Sequence, residues 1–283
     1  MTKESQIKSC DSFYTFLVMY KEMKVKKKIG GNVMSKEISK LFIEEESMRC
    51  LLCYDAPCSK VCPAQTDPAK FIRSIRFKNY LGGIKTIREN NAFGATCSDI
   101  CNGERYCEKA CLRNKIDKPI SIKYMQKFLM EMEKVSDNKE IVDVSKGEVC
   151  IFGGDIKALS SASEFIKHGY KVTLFTALSI KEYLKQFIND GSLSEDLLEK
   201  DIKSILNKGL QVKNYIPSIE EIEKYSFKAV LFASEDVKNI KFNNKELKDK
   251  SYYIDKLVSG PNDVVFSIKL GKEAAKKIIK EIE

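Results

Sequence analysis

Arg49-Cys50-Leu51-Leu52-Cys53-Tyr54-Asp55-Ala56-Pro57-Cys58-Ser59-Lys60-Val61-Cys62-Pro63 is a C-x2-C-x4-C-x3-C-P run. Downstream, Cys97, Cys101, Cys107 and Cys111 follow as C-x3-C-x5-C-x3-C, so eight of the ten cysteines fall between Cys50 and Cys111. Thiolates this dense cross-link, hold zinc, or hold iron–sulfur clusters. Disulfide staples would be spread through the chain, and these are not. Structural zinc usually takes two C-x2-C pairs or adds histidine. Here one C-x2-C pair exists and the sole histidine, His168, lies elsewhere. The pattern is read as two 4Fe–4S clusters.

A chain of 283 residues, 43% apolar and 31% charged, suits a soluble globular protein with two modest domains. No apolar run is long enough to span a membrane, and Met1 to Lys8 lacks a signal-peptide pattern, so a cytoplasmic location is expected. The net charge of +9 is uneven: residues 1–140 carry 26 Lys and Arg against 18 Asp and Glu. An acidic partner or nucleic acid would explain that excess, but so would the anionic charge of thiolate-bound clusters, the reading preferred here. Lys21 to Lys28 lacks the interleaved aromatics of a base-stacking surface, so no nucleic acid is expected.

Residues 1–33 read as an extension, with Cys10 standing apart from the ligand runs. Apolar spacing predicts a helix from Ser35 to Arg49, one opening on Asp67-Pro68, one over Tyr80 to Asn90, and one from Pro119 to Glu133. The segment 34–140 is therefore an all-α two-cluster iron–sulfur domain, with the clusters expected to supply much of its core. After a polar linker over 136–146, residues 147–283 alternate strand and helix as a reduced Rossmann-like α/β domain. Strands are predicted at Val149–Phe152, Val172–Phe175, Leu210–Val212 and Ala229–Phe232. Helices are predicted over Ile156 to Lys167, from a Ser192-x-x-Glu195 capping box to Gly209, and from about Asn262 to Ile282.

The cysteine run ending in Cys62-Pro63 resembles those of bacterial ferredoxins. More specifically, Arg49-Cys-Leu-Leu-Cys53, Ala56-Pro57-Cys58, Val61-Cys62-Pro63, Phe93-Gly94-x-x-Cys97 and Pro119-Ile-Ser-Ile122 resemble the N-terminal domain shared by glutamate synthase small subunits and dihydropyrimidine dehydrogenases. The resemblance implies two 4Fe–4S clusters with interlaced ligands. Cys50, Cys53, Cys58 and Cys111 would hold one; Cys62, Cys101, Cys107 and Gln126 would hold the other. Cys97 matches a position that is not a ligand.

The resemblance runs on into the α/β half and weakens there. The family's G-x-G-x-x-G, which lets the backbone approach a flavin dinucleotide pyrophosphate, reads Gly153, Asp155 and Ala158 here. A carboxylate in second place adds bulk and negative charge where the pyrophosphate would sit. Thr176 stands where an acid would grip the ribose, Ala233-Ser234-Glu235 replaces Ala-Thr-Gly, and the closing Gly-Gly-Asp survives as Tyr253-Ile254-Asp255. If FAD were kept, Gly153, Gly154 and Asp255 would remain as contacts; the departures argue against it. Between Asp236 and Lys250 there is no room for a second dinucleotide domain, so NAD(P) binding by this chain is not expected. The expected role is an iron–sulfur electron-transfer subunit working with a redox partner or catalytic subunit. The rivals are an FAD-containing oxidoreductase subunit and a non-redox assembly protein with structural clusters.

Overall fold

The computed structural model of the chain describes residues 39–135, 142–189, 193–234, 242, 244–259 and 263–283. The expected extension over 1–33, Cys10 and residues 136–141 of the expected linker lie outside them. All the described residues belong to one compact unit.

The helical half comprises α1 (Lys40–Arg49), α2 (Pro57–Lys60), α3 (Pro68–Arg76), α4 (Tyr80–Asn90), α5 (Gly94–Ile100) and α6 (Ile122–Met132), with tight 3-10 turns at Gly103–Arg105 and Leu112–Lys115. Local chemistry sets the starts. Asp67 takes up a left-handed conformation and its side chain accepts from Lys70 N (3.3 Å), with Pro68 opening the helix. Asn79 caps α4 by accepting from Gly82 N at 2.9 Å. From α3, α4 and α6, Phe71, Ile72, Ile75, Ile87, Met125 and Leu129 meet in an apolar core. Cys107 joins that core, and Cys50, Cys58 and Cys111 pack against it. The half therefore has a larger core of its own than the cysteine pattern suggests, because three amphipathic helices turn their apolar faces together.

The α/β half runs β1 (Glu148–Phe152), α7 (Ile156–Lys167), β2 (Lys171–Phe175), α8 (Ile180–Asn189), α9 (Glu195–Asn207), β3 (Gln211–Lys213), α10 (Ile219–Glu223), β4 (Phe227–Phe232), α11 (Lys245–Asp249), β5 (Ser251–Tyr253), α12 (Ile254–Leu257) and α13 (Val264–Ile282). The five strands are all parallel in the order β3-β2-β1-β4-β5, the doubly wound arrangement expected of a Rossmann-like sheet. In register, Ile151 faces Leu174 on one side and Leu231 on the other. Side chains alternate across it: Val149, Ile151, Val172, Leu174, Ala229 and Leu231 pack with α7 and α13, while Cys150, Phe152, Phe175, Val230 and Phe232 pack with Ile222 and Leu247.

The sequence reading lacks α8, α10, α11, α12 and β5. α9 opens at Glu195, with Ser194 extended as its N-cap; Ser192, the expected capping residue, lies outside the described residues. The reason lies outside the helix: Ser194 N donates to Asp99 Oδ2 of the helical half at 2.8 Å, which holds the chain extended there.

Phe165 is fully buried between α7 and the sheet, whereas Leu206 on α9 is partly exposed. Phe165→Ala is expected to lower the unfolding free energy by about 3–5 kcal/mol and Leu206→Ala by less than about 1 kcal/mol. Denaturant titration of the two variants compares them; equal losses would contradict this placement of the core.

Candidate functional site

The first cysteine run has little regular structure. Cys50 leaves the end of α1 in an extended conformation, Leu52 turns the chain at φ +50, and Cys58 sits in α2. Cys50, Cys53 and Cys58 line one cavity together with Cys111, which returns from far along the chain. Its walls are otherwise mainly apolar: Leu52, Pro57, Ile72, Ile120 and Ile122. Arg76 donates to Cys50 O at 3.2 Å, and Arg73 stands at the cavity's edge.

Burial pushes the Cys58 thiol up to about 11, and Cys50 and Cys111 add to the rise as like charges. Cys50 is raised as well, again by burial first, with Cys111 and Cys53 contributing.

The second set gathers elsewhere. Burial raises Cys101 to about 12, with Cys62 the next contributor. Cys107 is raised further, by burial and then by Glu108, Cys101 and Cys62. Cys58 also contributes to Cys107, so the two groups adjoin. Thr66 N donates to Cys62 Sγ at 3.5 Å. Cys97, inside α5, is fully buried and accepts from Asn91 Nδ2 (3.3 Å), so this thiol already has a protein partner. Gln126 is buried on α6, and its amide nitrogen donates to Gly94 O at the start of α5 (2.7 Å), leaving the amide oxygen as its acceptor end. Lys123, one turn earlier on α6, faces Cys101.

The donor set is chemically suited to iron–sulfur ligation: soft sulfur donors in two adjoining groups, sheltered by apolar walls. Among the described residues no three Cys, His, Asp or Glu side chains converge as a single metal ion would require. The thiols are spread round a space instead.

The dinucleotide end of the sheet is built differently. Gly153 keeps a positive φ of +123, and a β-carbon there would collide with Ser234 Oγ, a buried hydroxyl with no hydrogen-bond partner among the described residues. At Gly154 a β-carbon would lie 2.6 Å from Tyr183 and 2.7 Å from Thr176 Oγ1. Asp155 caps α7, its carboxylate accepting from Ala158 N at 2.8 Å. That takes up one of the backbone donors a pyrophosphate would use at a helix N-terminus. Asp255 lies exposed at the start of α12. The residues present do not fit a flavin dinucleotide, because a fixed carboxylate and close-packed side chains stand where its phosphates must approach.

The sequence reading missed several residues that shape the cysteine sites. Asp201 on α9, fully buried, accepts from Ala95 N (3.1 Å) and Thr96 N (2.7 Å) at the start of α5. Arg88 pairs with Asp201 and with Glu133. Lys272 on α13 donates to Ala64 O (3.0 Å) and to Asn90 O. A charge on the buried stripe of an amphipathic helix is the signal that would have found Asp201 and Lys272.

Residues 27–138 match the family described as dihydropyrimidine dehydrogenase domain II, 4Fe-4S cluster. The chain is 41% identical over 172 residues to the NAD-dependent dihydropyrimidine dehydrogenase subunit PreT of Salmonella typhimurium and 39% identical to PreT of Escherichia coli K12; each match covers 60% of this chain and 42% of the relative. The chain spans less than half the length of the curated relatives it matches. An alignment of 172 residues cannot end by residue 138, so the likeness reaches into the α/β half. The expected resemblance to the dihydropyrimidine dehydrogenase type of iron–sulfur domain therefore holds.

Asp155→Ala removes the α7 cap and is expected to cost about 1 kcal/mol. Gly153→Ala meets both backbone strain and Ser234, and is expected to cost more, about 1–3 kcal/mol. Thermal and denaturant unfolding measure both; a neutral Gly153→Ala would refute the close packing at this end of the sheet.

Proposed function

We propose that this protein is an iron–sulfur electron-transfer subunit of a dihydropyrimidine dehydrogenase-type oxidoreductase, holding two 4Fe–4S clusters and relaying electrons between a redox partner and a catalytic subunit. Cys50, Cys53, Cys58 and Cys111 hold one cluster; Cys62, Cys101, Cys107 and Gln126 hold the other. The observation that carries this reading is the cavity shared by Cys50, Cys53, Cys58 and Cys111, which brings together thiols far apart in the chain. Bound clusters supply one-electron redox chemistry at potentials tuned by charge, hydrogen bonds and exposure.

The chain's own residues do the rest. Ile72, Ile120 and Ile122 keep water from the first site, and Arg73 and Arg76 place positive charge near thiolates that burial alone would disfavour. Leu51, Tyr54 and Leu112 are exposed beside that site, giving a partner an apolar surface close to the sulfurs. Gln126, oriented by Gly94 O, offers a neutral oxygen in place of a thiolate, which lowers the negative charge at the second site.

The relatives are named as subunits of an NAD-dependent enzyme, which supports work with a partner. In this reading neither FAD nor NAD(P) is held by this chain, so electrons arrive from another protein. No described helix is long and apolar enough to cross a membrane, and cytoplasmic operation suits thiols kept reduced for cluster assembly.

Anaerobically purified protein is expected to contain two clusters' worth of iron and acid-labile sulfide, to lack stoichiometric flavin, and to show electron paramagnetic resonance signals after dithionite reduction. Cys53→Ser is expected to remove or convert one cluster, with iron falling by up to about half. Zinc in place of iron, or bound flavin at one per chain, would overturn this reading.

A further inference from the structure

The two cysteine sites differ in what surrounds them. The residues lining the cavity of Cys50, Cys53, Cys58 and Cys111 all lie between residues 50 and 122, within the helical half. The second group, Cys62, Cys101 and Cys107 with Gln126, is gripped from outside by two buried charges of the α/β half.

Asp201 is the first. Its two carboxylate oxygens take the backbone N–H groups of Ala95 and Thr96, unpaired donors in the first turn of α5. This short helix ends at Cys101, whose N–H donates to Cys97 O at 3.0 Å. Its first carbonyl, Gly94 O, holds Gln126. Fixing the start of α5 therefore fixes two of the four groups assigned to the second cluster. Arg88 keeps the buried carboxylate paired; it also donates to Ala92 O (2.7 Å) and to Glu133.

Lys272 is the second. It donates to Ala64 O, two residues beyond Cys62, and to Asn90 O. The same turn returns Thr66 N to Cys62 Sγ, and Asn91 Nδ2 donates to Thr66 Oγ1 at 3.1 Å. The lysine thus ties together the two loops beside Cys62; burial lowers its pKa to about 8, and Glu164 and Cys62 act against that loss of charge. Apolar packing follows this division in part: Ala64, Phe93 and Cys97 belong to the core of the α/β half, with Cys62 and Cys101 packed against it, while Cys107 packs in the core of the helical half.

We infer that the α/β half serves as the buttress of the second iron–sulfur cluster, with Asp201 and Lys272 as positioning residues, while the first cluster is independent of it. The inference rests on the two-cluster reading. It gives the Rossmann-like half a role that needs no dinucleotide: the half holds Cys62, Cys101 and Gln126 in place and supplies a nearby cation.

The full chain, purified anaerobically, tests it. Cys53→Ser and Cys101→Ser first assign the paramagnetic signals to the first and second clusters. Asp201→Ala is then expected to lose the second cluster's signal and about half the iron while keeping the first cluster's signal, which also reports that the chain is folded. Lys272→Gln is expected to keep the iron and move the second cluster's reduction potential downward, leaving the first unmoved. Should Asp201→Ala fail to fold, Asp201→Asn, which keeps one acceptor oxygen, is expected to alter only the second signal. Unchanged iron and potentials in these variants, or equal damage to both signals, would overturn the buttress. A wild-type chain with one cluster or none would instead overturn the two-cluster reading beneath it.

Discussion

A thiolate is costly to bury, and at the cysteines of the helical half neighbouring sulfurs add to that cost. Burial raises Cys58, Cys101 and Cys107 well above the ordinary thiol range, with neighbouring sulfurs adding to the rise. Such a set stays protonated unless positive charge enters among the sulfurs, so metal binding and proton release are coupled. The chain places cationic side chains there, Arg76 close to Cys50, Lys123 beside Cys101 and Lys272 near Cys62, although burial lowers both lysines.

In the two-cluster reading the second site adds a mechanical demand, because its groups come from three separate places: the end of the first cysteine run, the segment from Cys101 to Cys107, and helix α6. Bonds within the helical half tie α6 to its neighbours, Gln126 to Gly94 O, Lys123 N to Glu108 and Lys127 to Asp99. From the α/β half, Asp201 holds the start of α5 and Lys272 joins the loops of Ala64 and Asn90. A buried carboxylate is costly alone, but Arg88 joins Asp201 and Glu133 into one neutralised network with its backbone contacts satisfied.

Much of the fold was legible in the sequence, and for physical reasons. Asp67-Pro68 is a helix start with a mechanism, and α3 begins there. The run Val149 to Phe152 is apolar on consecutive residues because both faces of β1 are covered, which is why it reads as a buried strand. Apolar spacing marks a helix from Ile156 to Lys167 closed by His168-Gly169, and α7 has those limits, with Asp155 as the cap that the sequence reading did not assign. The short strand Ser251–Tyr253 was not legible: three half-buried residues carry too little periodicity, and pairing with β4 makes them a strand. At the cysteines, the spacing told that thiols gather but not which join which; that depends on Cys111 and Cys107 returning through turns whose geometry no local pattern encodes. Asp201 was invisible for a related reason, since its partners are backbone groups about a hundred residues away.

The filled dinucleotide end of the sheet follows from where the stability of a doubly wound fold resides. Val149, Ile151, Phe165, Leu174 and Leu231 are buried between sheet and helices, away from the loops at the strand ends, so they stabilise the half without any ligand. What a pyrophosphate would have supplied is local: acceptors for the N–H groups at a helix start. Asp155 supplies one from the chain itself, and Ser234, Thr176 and Tyr183 occupy the adjoining space. A negative charge at that helix start also suits the helix dipole, so Asp155 stabilises the helix that it caps. The sheet can then stay rigid around its own core, and rigidity is what a distant cysteine site requires of the element that positions it.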